Sequence, residues 1–121
     1  MNNTTVTDYK QLIAWQKAMK LCLFVYKITA KYPKFELYSL TDQTRRSAIS
    51  VPSNIAEGNG RSKKTAEYRH FLQIAYGSAL ELETQIIIAH QLKYITDDEN
   101  ELFSKGLLEV LKLLQNYISR N

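Results

Sequence analysis

Turn-forming and redox-active residues are scarce in this chain: one cysteine, two prolines and four glycines among 121 residues. The single thiol, Cys22, excludes an internal disulfide and fits a reducing compartment such as the cytoplasm. So few glycines and prolines leave little punctuation for an all-β fold, whose many short strands need turns. No apolar run approaches the roughly 18 to 20 residues that span a bilayer, so no membrane partner is expected. Met1 to Asp8 is polar, with neither an apolar core nor a cleavage site; it is expected to be a flexible tail (1–8) before a single domain (9–119), not a secretory signal.

Signatures of enzymes are equally sparse. Gly58-Asn59-Gly60 is too short for a phosphate loop and follows a helical pattern instead of opening one after a strand. Glu67-x-x-His70 is half of a di-iron carboxylate signature, and no second copy exists. His70 and His90 are twenty residues apart on one helical pattern, or about 30 Å, too far to share a metal. No catalysis, metal or cofactor is therefore expected.

Charge and helical periodicity are what the chain does have. The net charge is +4 and the pI about 9.2, unevenly spread. Residues 1–70 hold twelve Lys/Arg against five Asp/Glu, a surplus of +7, and residues 71–121 hold four against seven, a deficit of −3. Such asymmetry suits a polyanion-binding face, self-association, or both.

The stretch from Arg45 to Gly58 organises the rest. Leu37, Leu40, Thr44, Ala48, Val51 and Ile55 recur at helical spacing, beside a polar row of Gln43, Ser47, Ser50, Asn54, Glu57 and Arg61. Pro52 interrupts both rows; it removes the bond to the Ala48 carbonyl at roughly 3 kcal/mol in a free helix, with Ser50 and Ser53 beside it to satisfy that carbonyl. One kinked helix is expected, with two shorter helices meeting at Val51 as the alternative. Ser39 with Asp42 resembles a capping box at its start, and Gly58 with Gly60 would supply its stop.

The first helix should run from about Asp8 or Gln11 to Lys31, ending at Tyr32-Pro33. Its main stripe is Leu12, Trp15, Met19, Cys22, Tyr26 and Thr29, with Ala18, Leu21, Val25, Ile28 and Tyr32 as a second stripe. Lys10, Lys17, Lys20, Lys27, Lys31 and Lys34 occupy the remaining face. A third helix spans about Lys63 to Gln91, with Ser62 available as cap and Leu72, Ala75, Ala79, Leu82 and Ile86 in its seam. Gly77 costs about 1 kcal/mol against Ala in mid-helix, so a close helix crossing is expected at Gly77-Ser78. Thr96 and Glu99 form the clearest capping box, opening a fourth helix that ends near Ser119. Four amphipathic helices with short connections predict an all-α, antiparallel up-down-up-down four-helix bundle. The extra stripe on the first helix and the small-residue patch imply association with further copies.

Candidate phosphate contacts are Lys17, Lys20, Lys27, Lys31, Arg45, Arg46, Arg61, Lys63, Lys64 and Arg69; a solvated basic face is the plain alternative. Trp15 shares its seam with Met19, Cys22 and Tyr26, which makes it a core side chain instead of a stacking platform. Glu83 lies on an apolar row and would be compensated by Arg45 or Arg46, unless it stays at the rim. Structural or interface roles fall to Trp15, Ser50, Pro52, Asn54, Glu57, Gly58, Gly77, Ser78, Glu81 and Glu83.

Three segments follow one order and spacing: Leu12-Ile13-Ala14-Trp15-Gln16-Lys17-Ala18 before Tyr32-Pro33; then Gln43-x-Arg45-Arg46-x-Ala48-x-Ser50-Val51-Pro52-Ser53-Asn54-Ile55-Ala56-Glu57-Gly58; then Phe71-Leu72-x-Ile74-Ala75-x-Gly77-Ser78-x-x-Glu81-Leu82-Glu83. This pattern, over about residues 9 to 118, resembles the four-helix bundle proteins encoded in 23S rRNA intervening sequences. The resemblance implies a homopentameric barrel with a basic surface and no established enzymatic activity. It also implies kinship with accessory proteins of diversity-generating retroelements, which bind nucleic acid and serve a reverse transcriptase. Expected partners are thus further copies of the chain, RNA or DNA, or a polypeptide such as a reverse transcriptase that meets the polar row of the central helix.

Overall fold

A computed structural model of the chain describes residues 8–62 and 65–120. It contains four α-helices: α1 Ile13–Thr29, α2 Leu40–Asn59, α3 Ala66–Gln91 and α4 Asp97–Ser119. Each helix packs on the next, and α4 closes back on α1, which leaves α1 diagonal to α3 and α2 diagonal to α4 across the shared core. The faces between α1 and α4 and between α2 and α3 therefore lie on opposite sides of an all-α bundle. Neighbours run antiparallel, as paired contacts show: Thr29 with Arg45, Ser47 with Glu81, Ser50 with Ser78, His90 with Asp97, Lys17 with Glu109 and Lys31 with Glu99. No helix of the described residues is long and apolar enough to cross a membrane.

One residue from nearly every turn fills the core, with Val25, Ile28, Ile55, Leu72, Leu82 and Phe103 fully enclosed. On α1 the order of the two stripes is inverted. Ala18, Leu21, Val25, Ile28 and Tyr32 are all buried, whereas Leu12, Trp15 and Met19 are half-buried and Tyr26 is exposed. Ala14, also fully buried, extends the Ala18–Leu21–Val25 line and turns that face to the bundle axis. Trp15 is therefore not a core side chain. It packs against the core from the rim, edge-on to Tyr9 with ring centroids 5.4 Å apart. Cys22 is buried, and that burial pushes its thiol pKa up.

The helix ends correct several expectations. Asp8 caps one turn of 3-10 helix (Tyr9–Gln11), accepting from the Lys10 N–H, before α1 begins. Ser39 makes no side-chain cap to α2; its hydroxyl donates to Glu36 Oε1 at 2.6 Å, while Asp42 pairs with Arg46. The nearer carboxylate, Glu36, has taken the serine. At α3 the cap is Thr65, not Ser62: its Oγ1 accepts from the Tyr68 N–H at 3.1 Å. Thr96 and Glu99 form the expected box at α4.

The central helix α2 continues through Pro52, so the two-helix alternative fails. Ser50 does not serve the freed carbonyl, since its hydroxyl meets Ser78 and its own carbonyl accepts from Asn54 Nδ2. Gly58 does not stop the helix either. It is the penultimate residue of α2 and is buried, and a Cβ there would sit 3.2 Å from Phe71 Cβ. Its missing side chain lets α2 and α3 approach closely. Gly77 is the reverse case: nothing within 4 Å would meet a Cβ, so the contact of α2 with this part of α3 falls on the neighbouring Ser78 and not on Gly77.

Candidate nucleic-acid interface

Along α1, 3.6 residues per turn carry the exposed lysines around the side that faces α4. Lys17 and Lys20 from α1 and Lys105 from α4 line one groove of about 300 Å³, with Leu21, Phe24 and Leu102 as its apolar lining. Gly106 leaves room for the Leu21 side chain between the two helices: a Cβ there would lie 3.1 Å from Leu21 Cδ1. Lys17 is answered by Glu109 at 3.5 Å, but Lys20 and Lys105 form no ion pair among the described residues. Lys27, further along α1, is likewise exposed and unpaired among them. Three ammonium groups around one groove can hold a phosphate without reading a base. Lys105 escaped the sequence argument because it belongs to the acidic half of the chain. Only the pairing of α1 with α4, for which Gly106 was the available signal, brings it to the lysine row.

The other candidate cations are drawn into the protein's own contacts. Lys31 is bound by Glu99, whose carboxyl is held below its ordinary range by that ammonium first and by the Thr96 N–H second. Arg45 donates to Thr29 Oγ1 at 2.9 Å and lies 4.8 Å over the Tyr26 ring, which fixes it between α2 and α1. Arg46 pairs with Asp42 at 2.9 Å. Arg61 lies between Glu57 and Glu67 and stacks 4.8 Å over Phe71. Arg69 is half-buried and engaged. Lys63 and Lys64 fall outside the described residues. Exposed pairs of this kind add little stability, but they hold the cations to the protein's own carboxylates.

Glu83 pairs with neither arginine; it is half-buried and has no ion-pair partner among the described residues. The reason is angular. Two residues along a helix are roughly 200° around it, so Glu83 points away from the α2 side to which Glu81 and Gln85 belong.

Much of the central polar row lies in the α2–α3 seam. Ser50 Oγ and Ser78 Oγ are 2.7 Å apart, and Asn54 Nδ2 adds a bond of 3.0 Å to the Ser50 hydroxyl. Ser47 is buried and reaches Glu81 Oε1 at 3.5 Å. Pro52 is buried on the α1 side beside Trp15 and Met19, and Glu57 is exposed. Among the described residues, no three His, Cys, Asp or Glu side chains come together as metal ligands would.

Comparison with known proteins adds a family. A crystal structure of a protein of unknown function from Bacteroides thetaiotaomicron, of the S23 ribosomal protein family, matches with a TM-score of 0.76 at 23% identity. The match covers 88% of this chain and 98% of that one, and at such identity it shows a shared fold. No curated protein matches the sequence. The family model for the 23S rRNA-intervening sequence protein matches residues 10–116, from the turn before α1 to the last turn of α4. The chain belongs to the 23S rRNA-intervening sequence protein family.

Proposed function

We propose that this protein is a non-enzymatic, self-associating helical bundle that holds RNA weakly through the lysine-lined face between α1 and α4. The carrying observation is the convergence of Lys17, Lys20 and Lys105 on one groove, two of them without an ion pair among the described residues. Assembly as a homopentamer, which resemblance to the family suggests, would repeat that groove on each subunit and raise a weak attraction by multivalency. Support for association comes from α3, where Ile74, Leu80, Ile87 and Ile88 are exposed and Gly77 is open to a neighbour. With so few groups placed to read bases, binding should follow phosphate count and not sequence.

A second reading, a scaffold for a polypeptide such as a reverse transcriptase, draws on that same aliphatic surface of α3. Titration of labelled single-stranded RNA separates the two. Wild type should bind at low salt, and the Lys20→Glu/Lys105→Glu double variant should bind far more weakly with unchanged melting. Equal binding by the two proteins would remove the groove from the account.

A further inference from the structure

At the end of the bundle where α1 and α3 begin and α2 and α4 finish, a pocket of about 280 Å³ opens between all four segments. Leu12, Ile55 and Leu72 give it an apolar floor that is continuous with the core. Its polar groups are few. Asn59 and Tyr117 stand in the wall, but both are engaged within the protein. Tyr68 differs from them. It is 6% exposed, its backbone N–H bonds to Thr65, and its hydroxyl has no hydrogen-bond partner among the described residues. Burial first, and Tyr117 second, push the pKa of that phenol up, so it keeps a proton to donate at neutral pH. Arg120 is exposed at the rim, and its guanidinium forms no ion pair among the described residues.

We propose that this pocket binds a small apolar carboxylate, an aryl or short acyl acid, with its body on the floor and its carboxylate towards Arg120. An apolar floor alone would take any greasy molecule. The unpaired guanidinium selects an anion, which it can meet through two parallel N–H bonds, and the Tyr68 hydroxyl can donate to the same carboxylate. The volume lies just under the roughly 300 to 1,000 Å³ of ordinary small-molecule sites, which suits a compact ligand and not a long chain. No side chain of the lysine groove or of the exposed α3 surface lines this pocket. The assignment therefore stands apart from RNA binding and from self-association.

Calorimetric titration of the full chain at neutral pH tests it, with 2-naphthoate as probe and 2-naphthamide as its neutral counterpart. The naphthoate should bind saturably, and the amide about tenfold more weakly for loss of a charge-assisted contact. Arg120→Gln should erase that preference, and Tyr68→Phe should weaken both ligands several-fold. Lys112→Gln, which removes an exposed cation on α4 outside the pocket, should change neither. In methyl NMR spectra the naphthoate should shift Leu12, Ile55 and Leu72. Absence of saturable binding, equal affinity for acid and amide, or equal losses from Arg120→Gln and Lys112→Gln would overturn the proposal. Methyl shifts centred on Met19 and Ile49 would overturn it too, by placing the ligand in the groove beside Trp15. Displacement of the naphthoate by inorganic phosphate would do the same, by reducing the pocket to a bare anion site.

Discussion

Ser50 on α2 and Ser78 on α3 meet hydroxyl to hydroxyl at 2.7 Å, and they join the two helices at the middle of their seam. With Asn54 Nδ2 bonded to both the Ser50 hydroxyl and its carbonyl, the contact occupies the turn next to Pro52. Ser78→Ala should cost about 1 kcal/mol, and Ser50→Ala a similar amount. Because each substitution breaks the same bond, the double variant should cost less than the two singles together. Chemical denaturation of all four proteins measures the coupling.

The two glycines of the motif segments should respond in opposite ways. Gly58→Ala forces a methyl to 3.2 Å from Phe71 Cβ and should destabilise by roughly 1 to 3 kcal/mol. Gly77→Ala meets nothing within 4 Å and should stabilise the isolated chain by up to about 1 kcal/mol through helix propensity. Sedimentation velocity adds a second readout. If α3 packs on another copy there, Gly77→Ala should weaken association while it raises helix stability.

Lys93 holds a left-handed backbone, φ 65°, where α3 ends. The Tyr94 N–H bonds to Ala89 O and the Lys93 N–H to His90 O, the paired bonds of a Schellman cap that usually carries glycine. Lys93→Gly should raise stability by about 0.5 to 1 kcal/mol, read from the thermal midpoint. No change or a loss would show that the lysine side chain offsets its backbone strain.

Most of the fold was legible in the sequence because periodicity reports burial: the α3 seam, the fourth helix with its Thr96–Glu99 box, and the family all stand. Errors gathered where two local solutions competed. Both stripes of α1 are apolar, and only the tertiary arrangement decides which faces the axis. Ser39 had two carboxylates within reach along the chain, Glu36 and Asp42, and bonded to the first. Gly58 read as a stop because a glycine near a helix end usually is one; here it serves packing against Phe71. The lysine groove was half legible, since Lys105 joins it only through the α1–α4 contact.

Acid and alkali should act through different groups. Glu36 is held below the ordinary 4.5 by the Ser39 hydroxyl first and the Tyr94 hydroxyl second, and Glu99 by Lys31 first. A carboxylate with a lowered folded-state pKa stabilises the fold above its ordinary range, and that contribution fades as pH falls through the lowered value. Glu36→Gln with Glu99→Gln should therefore lower stability at neutral pH and flatten its acid limb. Tyr32 behaves oppositely: burial first, and the Glu99 charge second, push it up to about 12. Its neutral form is favoured in the fold, so its contribution holds below pH 10 and is lost as pH rises from there towards 12. Tyr32→Phe should flatten the alkaline limb in a melting series. It should cost little at neutral pH, because the Tyr32 hydroxyl has no hydrogen-bond partner among the described residues.

The central claim, that a lysine groove holds RNA by its phosphates, is tested most directly by the salt dependence of affinity. Each phosphate neutralised on a single strand contributes about −0.7 to the slope of log affinity against log salt. The two lysines of each groove without an ion pair among the described residues predict a slope of about −1.4 for each engaged subunit, equal across unrelated sequences and lost in Lys20→Glu/Lys105→Glu. Absence of RNA binding at low salt, or an affinity indifferent to salt, would contradict the account and favour a scaffold for a polypeptide partner.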